Sequence, residues 1–236
     1  MADRPRIDLD KLPVGEAKVA AVRAMFDDIA PRYDLVNRLM TFRLDVGWRQ
    51  RTVAALGLPP GARVADLACG TGDLCGELLG RGHRVIGVDL SFGMLAAARP
   101  RLPLVQADAL RLPLATGSLD GVTCGFALRN VADLGALFAE MARVIRAGGR
   151  VALLEVAEPS QPLLRIGHQV YFGQVVPLIG GLLSDAAAYR YLPRSVEYLP
   201  PPDELVGMLA DAGFSDATRR PLTGGIAQLL SATRDR

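Results

Sequence analysis

Two glycines and three acids stand at the ends of apolar runs, where residues of these types can hold a nucleoside. The run RVADLA (63–68) passes into ADLACGTGDL (65–74), in which Gly70 and Gly72 punctuate a sharp turn ahead of a helix. Glycine removes Cβ atoms where a ligand must lie against bare backbone. The free N–H groups at the start of the following helix attract negative charge. Asp89 closes RVIGVDL (84–90), at about the separation of 20 residues expected of an acid that takes both hydroxyls of a ribose. Asp108, at the end of LPLVQAD (102–108), can accept from an adenine amine. Alone it could equally be a helix cap or a turn residue, but Asp73, Asp89 and Asp108 on three successive strand ends read better as the rim of a cofactor site.

The dinucleotide pattern G-x-G-x-x-G needs a third glycine for close helix packing, and Cys75 stands there instead. Asp73, at the helix start, would repel a pyrophosphate and welcome an ammonium group. That combination favours S-adenosylmethionine, which has an amino-acid end and no phosphate. A P-loop is excluded, because no Gly-Lys-Ser/Thr follows.

The stretch CGFALRN (124–130) sets a fixed positive charge and an amide directly after an apolar run. Arg129 never loses its charge, so it suits a developing oxyanion better than it suits proton abstraction. Its structural alternative is an ion pair with Asp89 or Asp108. Asn130 can both donate and accept. The chain has two histidines. His83 precedes the second strand at its amino end and is expected at the surface, away from the rim. His168 lies in the apolar segment 166–185 and could approach an acceptor or sit on an amphipathic face. Cys69, Cys75 and Cys124 have neither metal-ligand spacing nor a histidine cluster, so they read as reduced, buried thiols and no metal is expected.

These residues need a scaffold that brings strand ends together. From residue 63 to about 156, short runs alternate with helical stretches: RVADLA, RVIGVDL, LPLVQAD, LDGVTCGF (119–126) and GRVALLEV (149–156). The clearest helix is DLGALFAEMARVIRAGG (133–149), capped by Asp133 and closed by Gly148. Strands separated by single helices imply a parallel, doubly wound α/β sheet. Residues 1–55 read as helical, 157–202 as an apolar lid or acceptor-site insertion, and 203–236 as a helix and an antiparallel hairpin, all within a single domain around the core at 56–156. Half of the 236 residues are hydrophobic and the net charge is +2, which supports a sizeable core and argues against a nucleic-acid partner. The N-terminus lacks an apolar signal region, and the most apolar run, 166–185, is broken by Pro177.

The stretches MFDDIAPRYDLVNRLMTF and DVGW (within 25–48), FALRNV (126–131), RVIRAGGRVALLEV (143–156), AYRYLPRSVEYLPPPDEL (188–205) and LTGG (222–225) resemble the ubiquinone/menaquinone biosynthesis C-methyltransferases. That family belongs to the class I S-adenosylmethionine-dependent methyltransferases, whose Rossmann-like sheet is mostly parallel. The likeness runs from Met25 to about Gly225. Arg146, Val156 and Asp45 replace a frequent lysine, phenylalanine and histidine, and Leu230 stands where the family carries a histidine.

The resemblance implies methylation of a ring carbon of a prenylated quinol, most closely demethylmenaquinol, without a metal. It implies catalytic roles for Arg129, Tyr33 and Asn130. The cofactor is expected on Asp66, Ala68, Gly70, Thr71, Gly72 and Asp73, with Asp89, Leu90, Met94, Asp108, Ala109 and Phe126 completing its site. His168, Tyr171, Tyr189 and Tyr191 are expected around the acceptor. A cytoplasmic enzyme is implied, in transient contact with the inner face of the membrane because its acceptor is a lipid, and a homodimer is common in the family. The alternatives are a methyltransferase of soluble secondary metabolites and a non-catalytic S-adenosylmethionine-binding protein.

Overall fold

Short β-branched and leucine-rich runs form the strands of a central sheet, those at its centre buried on both faces. These are β1 (Arg63–Leu67), β2 (Arg84–Asp89), β3 (Leu104–Gln106), β4 (Leu119–Gly125), β5 (Ile145–Val156), β6 (Phe214–Leu222) and β7 (Ala227–Arg234). The structure, a computed structural model, describes residues 13–159, 161–175, 191 and 194–235. The strand order is β3-β2-β1-β4-β5-β7-β6. β1 to β5 pair in parallel, and β7 runs antiparallel to both β5 and β6. The expected C-terminal hairpin is therefore present, beginning at Phe214 and turning at Thr223–Gly225.

The order reverses between β1 and β4, and ligands bind at such a switch point, outside the carboxyl ends of the strands. On one face of the sheet, Leu137, Phe138 and Met141 of α6 (Leu134–Val144) pack with Leu205 and Leu209 of α8 (Pro202–Asp211). On the other, Trp48, Val53 and Leu56 of α3 (Leu44–Leu56) pack with Leu74 and Leu78 of α4 (Asp73–Gly80). A third cluster joins α1 (Gly15–Ile29), α2 (Tyr33–Met40) and α5 (Phe92–Ala96), through Val22, Met25, Ile29, Val36, Met40 and Met94, to the buried Tyr191. α7 (Pro162–Val170) continues into a π-helical turn at Tyr171–Val175. No helix among the described residues is long and apolar enough to cross a membrane.

Three local expectations need correction. The helix begun by Asp133, whose side chain accepts from the Ala136 N–H at 2.9 Å, stops at Val144 rather than at Gly148. Ile145 already pairs with Leu119, and Arg150 pairs with Gly121, so four residues bulge opposite Asp120 alone. Gly148, at φ 73°, lies in that bulge.

No helix separates β3 from β4. Pro113 interrupts the stretch, and side chains of α6 satisfy its backbone instead. The Leu112 N–H donates to Glu140 Oε1 at 2.6 Å, and Arg143 donates to the Leu112 and Leu114 carbonyls. His83 lies at the amino end of β2, away from the rim, but is buried rather than superficial. Burial, followed by the charge of Arg81, holds its pKa below the usual histidine range.

The bulge leaves no room for a side chain at its last glycine. A Cβ on Gly149 would lie 2.4 Å from Ile145 Cγ2 and 2.7 Å from the Asp120 carbonyl oxygen. Gly149→Ala is expected to destabilise the fold by about 1–3 kcal/mol, the range for overpacking. Urea unfolding followed by circular dichroism checks this, and an unchanged midpoint would mean that the bulge yields.

Candidate active site

The carboxyl ends of β1, β2 and β4 open into one cleft, which encloses about 1210 Å³ including its mouth. Two non-glycine residues adopt left-handed backbone on its edge, Ala68 after β1 (φ 50°) and Phe126 after β4 (φ 59°). Such strain gathers at ligand sites because surrounding contacts enforce it. The Phe126 N–H donates to the Leu154 carbonyl at 2.7 Å, and the Phe126 carbonyl accepts from Arg129 Nη1 at 2.9 Å. Gly72, at φ 86°, brings the turn so close to Pro100 that a Cβ would meet Pro100 Cδ at 2.8 Å.

The acids take fixed positions. Asp89 accepts from the Gly70 N–H at 2.7 Å and from the Ser91 N–H at 2.8 Å. Burial raises its pKa, and those two N–H bonds oppose the rise. Asp108 is exposed at the mouth and caps its own turn through the Leu110 N–H. Asp73 pairs with Arg49 at 3.2 Å and with Arg38 at 3.8 Å. Asp66 is buried at the cleft floor, accepting from Thr123 Oγ1 at 2.8 Å and from Cys75 Sγ at 3.4 Å. Burial pushes its carboxyl up to about 7. Four acids and two arginines, Arg23 and Arg49, therefore line the cleft. This charge balance fits a ligand that carries hydroxyls, amino groups and a positive charge, and it opposes a pyrophosphate.

Of the residues expected in the site, Tyr33, Asp66, Ala68, Gly70, Thr71 and Asp73 line this cleft, as do Asp89, Leu90, Met94, Asp108, Ala109, Phe126 and Asn130. The Thr71 hydroxyl is committed to Asp34 Oδ1 at 2.5 Å. Gly72 supports the turn from behind. Tyr171 lies outside the cleft, with its hydroxyl on the Met40 carbonyl at 2.9 Å. Tyr191 also lies outside; it is buried and donates to Asn130 Oδ1 at 3.1 Å. His168 falls on α7, but its side chain lies outside the described residues, as does the whole of Tyr189. Leu230 packs in the core beside Leu153, so the position where the family carries a histidine does not face the cleft.

Arg129 is not among the residues that face the cleft. Neither Asp89 nor Asp108 is its partner. It forms a buried ion pair with Glu155 and also donates through Nε to Ser195 Oγ at 3.0 Å. Its backbone N–H donates to Glu155 Oε2 at 3.2 Å. The guanidinium thus ties the end of β4 to the end of β5, and its charge is still felt by Tyr33 in the cleft.

The sequence reading missed Arg49 and one wall of the cleft, formed by Val19, Val22, Arg23 and Phe26 of α1. The i, i+3, i+7 spacing of Val19, Val22 and Phe26 was the available signal for the wall. For Arg49 it was the i, i+4 spacing from Asp45, with which it pairs. Tyr33 lines the same cleft as Arg49. Burial raises its phenol pKa, while the charges of Arg49 and Arg129 pull it down.

The sequence model of the ubiE/COQ5 methyltransferase family matches residues 13–234. A demethylmenaquinone methyltransferase of Roseiflexus castenholzii is 46% identical over 226 residues, covering 92% of this chain and 95% of the relative. A ubiquinone/menaquinone biosynthesis C-methyltransferase UbiE of Syntrophotalea carbinolica is 44% identical, covering 90% of this chain and 93% of the relative. Among solved structures, an S-adenosylmethionine-dependent methyltransferase of Thermotoga maritima, described as a possible histamine N-methyltransferase, superposes with a TM-score of 0.65 at 17% identity. It covers 90% of this chain and 99% of that one, a likeness of fold alone.

Two outcomes are expected from this geometry. Arg129→Ala leaves Glu155 charged and buried without its partner, so it should cost about 3–5 kcal/mol of stability. Arg129→Leu combined with Glu155→Leu should recover most of that loss, and chemical denaturation of both variants is the check. The second outcome concerns Asp66, whose folded pKa of about 7 lies above the usual carboxylate value of 3.8. The unfolded chain releases this proton first, so Asp66 makes stability fall as pH rises from about 4 to about 7 and contributes no slope outside that window. Asp66→Asn should remove that component, and equal slopes for both proteins would place the titration elsewhere.

Proposed function

The chain belongs to the ubiE/COQ5 methyltransferase family, and on that premise we propose that it methylates a ring carbon of a prenylated quinol, demethylmenaquinol, to give menaquinol. Its cofactor is S-adenosylmethionine. The observation that carries the reading is that Tyr33 and Asn130, from separate stretches of the chain, line the same cleft as the acid rim.

The residues present fit the cofactor. Asp89 and Asp108 would take its ribose hydroxyls and adenine amine, and Asp73 and Asp66 would take its ammonium group. When bound, it supplies a methyl group made electrophilic by the adjacent sulfonium.

The protein's task is to hold the acceptor ring as a phenolate, since an aromatic carbon becomes a good nucleophile once a ring hydroxyl gives its proton to water; the ring carbon's own hydrogen leaves as a second proton, also to water, once the new carbon–carbon bond has formed. Tyr33, with its pKa raised by burial, stays protonated near neutral pH and serves as a donor rather than as a base. Asn130 accepts from Tyr191 through Oδ1, which leaves its amide N–H groups to donate. Arg49 adds the positive charge on the cleft wall, and Arg129 keeps the Asn130 turn in place. Together these donors and charges stabilise a ring oxyanion where water is largely excluded. The apolar wall of α1 closes the opposite side.

The test is transfer of labelled methyl to a panel of prenylated naphthoquinols and benzoquinols. Demethylmenaquinol is expected to be the best acceptor. Tyr33→Phe should lower kcat about 10²–10³-fold, as for loss of one oxyanion donor, with cofactor affinity unchanged in calorimetry. Equal transfer to small soluble phenols would overturn the assignment of the acceptor.

A further inference from the structure

Two of the chain's three free cysteines meet behind the glycine turn. Cys69 follows β1, and Cys75 lies in the first turn of α4. Their sulfurs converge on Gly87 of β2. A Cβ on Gly87 would lie 2.9 Å from Cys69 Sγ and 3.4 Å from Cys75 Sγ, so the missing side chain is what lets both thiols share one space. Cys75 Sγ also donates to Asp66 Oδ2 at 3.4 Å. Contact with Cys69, then burial, then the charge of Asp66 hold the Cys75 pKa above the usual thiol range. The third thiol, Cys124, packs on the opposite face of the sheet.

The paired thiols differ in what they face. Cys69 lines the cleft beside Gly70 and Thr71, whereas Cys75 is fully buried and does not. The backbone of Cys69 is held from both sides. Its N–H donates to the Val88 carbonyl at 3.0 Å, and its carbonyl accepts from the Gly72 N–H at 2.9 Å. A small reagent in the cleft therefore meets Cys69 first, with Cys75 waiting behind it. A reachable thiol backed by a second one is the arrangement of a redox-sensing pair.

We propose that Cys69 and Cys75 are an oxidation site, at which a small hydroperoxide entering the cleft converts the two thiols to a disulfide and so weakens cofactor binding. The Cys69 sulfur, as thiolate, attacks one peroxide oxygen, and the O–O bond breaks. The departing hydroxide takes the proton lost by Cys69 and leaves as water, and Cys69 becomes a sulfenic acid. Cys75 then gives its proton to Asp66 and attacks the Cys69 sulfur. The S–O bond breaks, and the second hydroxide leaves as water with that proton. Two thiols are oxidised, and one hydrogen peroxide is reduced to two molecules of water.

The new bond draws Cys69 toward α4, and the next residue is Gly70. The Gly70 N–H donates to Asp89 at 2.7 Å, so the acid that would hold the ribose loses a fixed partner. Bound cofactor, in turn, lies against Cys69 and shields it. Oxidant and cofactor thus exclude each other, whichever quinol the cleft methylates.

The test treats the reduced full chain with hydrogen peroxide and digests it without reductant. Mass spectrometry should find Cys69 joined to Cys75 and Cys124 still free. Calorimetry with S-adenosylhomocysteine should show affinity lowered about tenfold or more, as for loss of one hydrogen bond to a charged group. Dithiothreitol should restore it. S-adenosylhomocysteine added before the peroxide should slow formation of the disulfide. In Cys75→Ser no disulfide should form, and a diketone that traps sulfenic acids should label Cys69. Cys75→Ala takes its place should Cys75→Ser alter the thermal midpoint.

Cys69 and Cys75 that both stay reduced under peroxide overturn the site. A bridge to Cys124 overturns it as well, because the folded chain keeps that thiol on the other face of the sheet. A Cys69–Cys75 disulfide that leaves cofactor affinity unchanged overturns the coupling. Methylation of the quinol panel by the reduced protein is read separately, so none of these outcomes decides the acceptor.

Discussion

The buried pair of Arg129 and Glu155 sets the geometry on which the cleft depends. Charges taken out of water are tolerated only when their remaining donors and acceptors are met. Glu155 accepts from the guanidinium and backbone N–H of Arg129 and from the Val156 N–H. Arg129 in turn grips the Phe126 carbonyl and Ser195. Three stretches of chain, at the ends of β4 and β5 and around residue 195, are thereby locked to one another. The left-handed Phe126 and the neighbouring Asn130 inherit their positions from this arrangement. Such a pair contributes specificity of shape more than net stability, because hydrophobic residues could fill the same volume without fixing the turn.

The N-terminal helices complete the cleft by bonding to the loops after β1, β2 and β4 and to the hairpin turn. Asp27 accepts from Ser91 Oγ and the Gly93 N–H ahead of α5. Asp34 accepts from Thr71 in the glycine turn. Trp48 Nε1 donates to Thr223 in the hairpin turn at 2.8 Å. Lys18 donates to the Val131 carbonyl at 2.8 Å and lies over the Tyr198 ring at 3.6 Å. Burial holds its pKa down to about 8, since a carbonyl and a ring face replace only part of its hydration. A doubly wound sheet alone would offer an open groove. Here residues 15–56 make it a walled cleft with Tyr33 on the inside.

That wall separates two environments with opposite chemistry. Inside, acids outnumber arginines, suited to a cationic, phosphate-free ligand. Outside, Leu35, Leu39 and Phe42 present apolar side chains to solvent. The eight residues of α2 serve both: Tyr33 faces inward, while Leu35 and Leu39 face out. A short amphipathic helix can do this because residues one turn apart share a face.

The acids and glycines at strand ends were legible because their positions are local: an apolar run stops, the chain turns, and a polar residue follows. Gly70, Asp89 and Asp108 meet in one cleft for that reason, whereas Tyr33 and Met94, on helices, were expected there only from the family resemblance. The strand pattern and the final hairpin follow from the same local punctuation. Helix ends were less legible, as at Val144, where pairing of Ile145 with Leu119 overrode a glycine three residues on. The stretch between β3 and β4 likewise found its backbone partners on Glu140 and Arg143, far along the chain. By itself, the sequence determined the parallel sheet, the acid rim and the identity of the residues around it. Only the tertiary structure decided that Arg129 faces Glu155 rather than the cleft, and that Arg49 faces the cleft instead. An arginine's direction depends on which carboxylate packing brings within reach, and strand alternation carries no record of a partner 26 residues away.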